Sequence, residues 1–182
     1  KQAGVSLGST TYHFKSIEDL IISAFHHWRA QKVMVVNPYY QEIKQRLQPY
    51  SGGRVPASKR KEMAAWIFEQ SVGYVEDQLT GKRFDRVVEL AFYHESIRYP
   101  SLRDLLMKVR RVELDYLVQV HTIMDSAEPL EDARITLALF RQLEQSAIMA
   151  VLPELDMDVI RRTIHRHLSL CFGVSIPGNA AS

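Results

Sequence analysis

The chain has 182 residues, 46% of them apolar, and a formal net charge of +2. That length fits one medium domain, or a small module joined to a larger one, and the apolar share is enough to bury a substantial core. Nothing global calls for a nucleic-acid or acidic partner. No apolar run reaches the roughly 20 residues of a membrane span. Cys171 is the only cysteine, so no intrachain disulfide forms and a reducing, cytoplasmic setting is expected.

The hydrophobic period is helical almost throughout and predicts an all-α fold in seven to nine pieces. Residues 5–14 read as a short helix. Ser16, with Asp19 three residues on, opens a second over 16–36, with Leu20, Ile21, Ala24, Phe25 and Trp28 at three- and four-residue steps. Pro38 ends or kinks it. Residues 39–47 form a further helical piece. "QPYSGGRVPAS" (48–58) follows, its prolines, glycines and serines marking a flexible connection. Helices are then expected over 61–79, closed by Gly81, and over 84–97. Pro100 and an S-x-x-D pair, Ser101 and Asp104, open the most regular helix, whose apolar stripe runs from Leu102 to Ile123. Pro129 stands near the start of a helix over about 130–152, which Pro153 breaks, and a last helix spans about 157–172. The tail from Gly173 reads as disordered.

The most informative stretch is "AGVSLGSTTYHFKSIEDLI" (3–21). Gly4 suits the turn of a helix-turn-helix, where a positive φ is often needed, and Ser6 suits the cap of the helix that follows. Leu7, Gly8, Ser9, Thr10, Thr11 and Tyr12 are mostly small or hydroxyl-bearing. Such side chains let a helix approach base edges and donate to phosphates. Tyr12, His13 and Lys15 add phosphate-reaching groups, and Phe14 supplies an apolar anchor. Residues 1–17 carry no carboxylate, as a surface facing the DNA backbone requires. The alternative is that Tyr12 and Phe14 are simply core residues of a short helical hairpin.

The pattern A-G-V-S-x-G-S-x-x-Y-H-F-x-S-x-x-x-L-I resembles the recognition-helix signature of the tetracycline-repressor (TetR) family of bacterial transcriptional regulators. The resemblance implies a helix-turn-helix head followed by a helical body that binds a small effector and dimerises. It also implies that this sequence begins within the head, lacking the first helix and most of the second. Ser6, Leu7, Ser9, Thr10, Thr11, Tyr12, His13 and Lys15 become the expected DNA contacts. Many members carry Tyr where Thr11 stands and Lys where Ile17 stands, so this chain leans more on Tyr12, His13 and Lys15. Residues 89–106, "ELAFYHESIRYPSLRDLL", also look similar to family members.

A body of this kind needs a cavity between facing helices. Large residues of mixed polarity on otherwise apolar faces are candidates for its wall: Trp66, Gln70 and Tyr74; Glu89, Phe92 and Tyr93; Tyr116, His121, Phe140 and Gln145. They suit an apolar or amphipathic effector; the alternative for each is an ordinary place in core or surface. The last two helices read as apolar on more than one side, through Leu137, Phe140, Leu143, Ala147 and Met149, with Ile164 and Leu168. In the resembled family these helices form a four-helix dimer interface; full burial within one protomer is the alternative.

No cofactor is expected, and no metal. "HESIR" (94–98) lacks the second His of H-E-x-x-H, while the pairs His26–His27 and His165–His167 do not share a helix face. An enzyme is not expected either, since no G-x-S-x-G elbow is present. The domains expected are a partial DNA-binding head over 1–36 (recognition helix about 6–13, linking helix about 16–36), an effector-binding and dimerisation body over 37–174, and a flexible tail over 175–182. The function expected is a ligand-responsive homodimeric repressor acting on a pseudo-palindromic double-stranded operator. The alternative is a helical effector-binding or scaffold protein with no DNA role.

Overall fold

Ser16 opens the first helix as its sequence context dictates: its Oγ accepts from the Asp19 backbone N–H at 3.0 Å. The computed structural model describes residues 14–30, 37–149 and 156–177. Among them the fold is all-α, with seven α-helices and no strand. They are α1 (Ile17–Ala30), α2 (Pro38–Leu47), α3 (Ala57–Thr80), α4 (Arg83–Glu95), α5 (Pro100–Ile123), α6 (Pro129–Met149) and α7 (Met157–Cys171). No helix among the described residues is long and apolar enough to cross a membrane.

Charge and caps set the helix ends. In α1, Glu18 and Asp19 occupy the first turn, and His27 and Arg29 the last, each sign facing the end of the helix dipole that favours it. Asn37 caps α2 by accepting from the Tyr39 N–H, with Pro38 at the first helical position. Asp156 caps α7 by accepting from the Asp158 and Val159 N–H groups. The expected cap at Ser101 is not formed. Pro100 takes the first helical position of α5, leaving Tyr99 as a cap without a side-chain bond and placing Ser101 inside the helix.

The core has two parts. α3 is the central element: Met63, Ala64, Ile67, Phe68, Val72, Val75 and Leu79 are buried against residues of α2 and α7 and against Val120 at the end of α5. A second, smaller core joins α1 to α5, where Phe25 meets Leu102 and Leu106. Phe92 of α4 stands edge-on to Phe25 at 5.3 Å between ring centroids. α1 is thus held to the body by a buried aromatic plug.

Two segments are more ordered than their composition suggests. Residues 48–58 do not form a free linker: 48–50 make a 3-10 turn and Ala57 already belongs to α3. Val55 between them is 1% exposed, and its N–H donates to the Ile123 carbonyl at 2.8 Å. Arg54 and Arg60 both pair with Asp125, just beyond α5. The C-terminal segment is likewise docked as far as it is described. Gly173, at φ +61°, closes α7, and the Val174 N–H returns to the Ser169 carbonyl at 3.2 Å, a left-handed cap that glycine makes cheaply. Ile176 is buried, and its carbonyl lies 2.9 Å from His165 Nε2. Residues 178–182 of the expected tail lie outside the described residues.

Candidate functional site

α2, α3, α5, α6 and the end of α7 surround a cavity whose wall carries four tyrosines and two phenylalanines among aliphatic and small polar residues. Tyr39, Tyr40 and Ile43 come from α2, and Ile67, Gln70, Ser71 and Tyr74 from α3; α5 gives Tyr116, Leu117, Val120 and His121, and α6 gives Thr136 and Phe140. Leu168 and Phe172 close one end. The tyrosines interlock edge-to-face, Tyr40 on Tyr116 at 4.8 Å and on Tyr74 at 5.6 Å. Tyr74 and Phe140 stack at 6.0 Å. The free space is about 40 Å³, room for about three waters, so a larger occupant has to part the walls.

A polar layer backs this aromatic wall. Tyr74 OH donates to Glu144 at 2.9 Å. Arg141 pairs with Glu144 at 2.9 Å, with Glu113 at 2.8 Å and with Glu89 at 3.3 Å. Arg86 also pairs with Glu89, at 2.5 Å. All three carboxylates are buried. Desolvation alone would disfavour the Arg141 cation, but the facing carboxylates outweigh it and hold the guanidinium charged. Burial raises the Tyr40, Tyr74 and Tyr116 hydroxyls above the usual phenol range. They therefore remain neutral donors. The Tyr116 hydroxyl is buried with no hydrogen-bond partner among the described residues, a donor left unspent in the wall.

Of the ten residues expected to form an effector site, Gln70, Tyr74, Tyr116, His121 and Phe140 line this cavity. The other five do not. Glu89 belongs to the charge layer, and with Tyr93 and Gln145 lines a separate cleft of about 30 Å³. Phe92 is spent in the plug around Phe25, and Trp66 lies under the Arg46 guanidinium at 4.7 Å. Tyr39 and Tyr40 escape a sequence reading because their helix has only 10 residues; the proline-opened, capped tyrosine pair was the available signal.

No protein-family model matches the chain, and no curated protein matches it either.

The expected dimer face changes in a similar way. Ile164 and Leu168 are 0% and 2% exposed, buried against α3 within their own protomer, so neither is free for a partner. α7 is one-sided, because Ile160, Ile164 and Leu168 fall on successive turns facing inward. Phe140 is taken up by the cavity, and Leu137 and Leu143 are half-buried. Met149 is 86% exposed and Ile135 54%, so α6 does keep apolar residues on its outer side. Ser6, Leu7, Ser9, Thr10, Thr11, Tyr12 and His13 lie outside the described residues, as does the side chain of Ala147. Lys15 is exposed and Phe14 half-buried.

A last cluster combines residues that chain spacing keeps apart. A ring nitrogen of His121 on α5, a carboxylate oxygen of Asp132 on α6 and the Cys171 sulfur on α7 lie within 4.8 Å of one another. His167, one turn before Cys171, places its ring 3.6–3.7 Å from that sulfur. Burial pushes the His121 imidazole down to about 4, against the opposing pull of Asp132, and lowers His167 as well. Burial and the adjacent Asp132 push the Cys171 thiol up to about 12. As the residues stand, the rings are neutral and the sulfur is a thiol.

Proposed function

We propose that the chain is a DNA-binding transcriptional regulator, a homodimeric repressor acting in the cytoplasm, whose effector occupies the aromatic cavity. The signature at 3–21 carries this reading, because glycine turn, small hydroxyl-rich run, Tyr-His-Phe and capped helix occur together at fixed spacing. The fold supports it mechanically. α1 begins within that stretch, at Ile17, and Phe25 plugs it onto Leu102 and Leu106 of α5, the helix that also supplies Tyr116 and His121 to the cavity.

Coupling follows from the tightness of the cavity. An aromatic or amphipathic effector has to part α2 from α5 to enter, and its acceptor meets the spare Tyr116 hydroxyl. Displacing α5 displaces α1 and so alters the separation of the two DNA-reading heads. The effector shifts DNA binding only by its differential affinity for the two spacings. The partner contact falls to the outer side of α6, where Ile135 and Met149 stand two heptads apart.

Selection from randomised duplexes, by protein expressed from the whole reading frame containing this sequence, tests the proposal. A pseudo-palindrome with half-sites roughly 34–36 Å apart is expected. Failure to enrich any sequence, with a ligand still bound in the cavity, would instead leave a helical effector-binding protein with no DNA role.

A further inference from the structure

We propose that His121, Asp132, His167 and Cys171 form a binding site for one divalent transition-metal ion of the zinc class. The site lies where α5, the start of α6 and the end of α7 meet, and the argument for it is independent of any DNA role.

The hydrogen bonds around Thr136 prepare the two imidazoles. Its hydroxyl donates to the Asp132 carbonyl at 2.8 Å, which spends its only proton. It lies 2.9 Å from His121 Nε2 and 2.7 Å from His167 Nε2, so it accepts an N–H from each ring. Both rings are thereby fixed as neutral Nε2–H tautomers with the Nδ1 lone pair left over. His121 is 1% exposed, and its Nδ1 is buried without a hydrogen-bond partner. A buried acceptor left unpaired is costly; a metal ion is the partner that a neutral imidazole lone pair suits best. An N–H held by an oxygen on the far side of the ring is also the usual orienting contact of a metal-bound histidine.

Donor chemistry selects the ion. Two imidazoles, one carboxylate and one thiolate suit tetrahedral zinc and disfavour magnesium or calcium, which take oxygen ligands. In a closed zinc site neighbouring ligand atoms stand roughly 3.5 Å apart. Cys171 Sγ and His167 Nδ1 are already close to that separation, at 3.7 Å, and the ligand atoms of His121, Asp132 and Cys171, within 4.8 Å of one another, draw in by about 1 Å on binding. Asp132 and Cys171 are half-buried, which leaves the ion a path from solvent. On binding, the Cys171 S–H bond gives way to an S–metal bond and the proton leaves to water, with no change of oxidation state. Carboxylate and thiolate then balance the two positive charges. Ser126, bonded through its hydroxyl to the Asp132 carboxylate, holds that ligand from behind.

The ion ties three helices together at the cavity end that His121 and Thr136 line. The test uses the untagged full chain stripped by a chelator. Cobalt(II) titration is expected to saturate at one ion per chain and to produce a thiolate-to-cobalt charge-transfer band, which only Cys171 can supply since it is the sole cysteine. Zinc should displace the cobalt and raise the thermal midpoint, while magnesium should do neither. Cys171→Ser should abolish the band, and His167→Gln should weaken zinc binding at least about tenfold, with metal-free circular dichroism unchanged in both. A parent protein that shows no such band at saturating cobalt overturns the site without reference to any variant. Equal stabilisation by zinc and magnesium also overturns it.

Discussion

Arg141→Met is the sharpest test of the buried charge layer. Arg141 is the only cation paired with Glu113 among the described residues, whereas Glu89 and Glu144 each keep a contact to Arg86. Removing the guanidinium therefore strands one buried carboxylate and weakens the pairing of two more. Breaking a buried pair from one side costs about 3–5 kcal/mol, a large part of the 5–15 kcal/mol that typically holds a domain together. Urea unfolding followed by circular dichroism should show a midpoint lower by roughly 2 M, at a slope near 2 kcal/mol per molar. Arg86→Met should cost less, because both of its carboxylate partners keep Arg141. Adding Glu113→Gln to Arg141→Met should restore part of the loss by removing the stranded charge. A cost below about 1 kcal/mol for Arg141→Met, or no recovery in the double variant, would refute the assignment of these groups as a coupled buried layer.

The cavity tyrosines make folding sensitive to alkali. Their hydroxyls are raised in the folded chain and ordinary in the unfolded one, so the unfolded chain loses protons first. Their contribution is complete below about pH 10 and is lost as pH rises further. The last steps of tyrosinate absorbance should coincide with loss of helical dichroism; full ionisation of a still-helical protein would contradict the burial. At Gly73, an added methyl group would sit 2.9 Å from Tyr39 Cε1. Gly73→Ala should forfeit the roughly 1 kcal/mol that alanine normally adds to a helix interior and lower the thermal midpoint, by an overpacking cost of about 1–3 kcal/mol. A rise in the midpoint would show that the ring yields freely. Under the proposed function, Lys15→Ala should weaken binding to all duplexes alike and reduce the salt slope by about one unit; a change of base preference at constant slope would reject a phosphate role.

Local signals were legible wherever chemistry within four residues decides the outcome. Ser16 caps α1, Pro129 sits at a helix start, and a three-to-four-residue apolar rhythm marks the longer helices; Pro38, read only as a break after the preceding helix, opens α2. Ser101 misleads because an S-x-x-D pair cannot show that the preceding proline has already claimed the first helical position. Residues 48–58 mislead because composition reports what a segment lacks in regular structure; the burial of Val55 and the pairing of two arginines with Asp125 are set by partners 65 to 71 residues away in sequence. The candidate site divides along the same line. Periodicity finds the inner faces of α3, α5 and α6, and hence Tyr74, Tyr116 and Phe140. It does not reveal which inner faces meet, so it sends Phe92 to a cavity although the ring plugs α1, and it omits Tyr40. His121, Asp132, His167 and Cys171 come from three helices, and no spacing rule along the chain links them.

The clasp of Val55, Arg54 and Arg60 onto the end of α5 has a practical use. Gly52 meets nothing within 4 Å at its would-be side chain, and Gly53 meets only the Tyr50 carbonyl, at 3.9 Å; the chain is secured again within two residues. A peptide tag or fluorophore spliced between these glycines would ride at the margin of α2 without straining the aromatic wall. Its signal would then report directly whether the short tyrosine-bearing helix swings when the interior is filled.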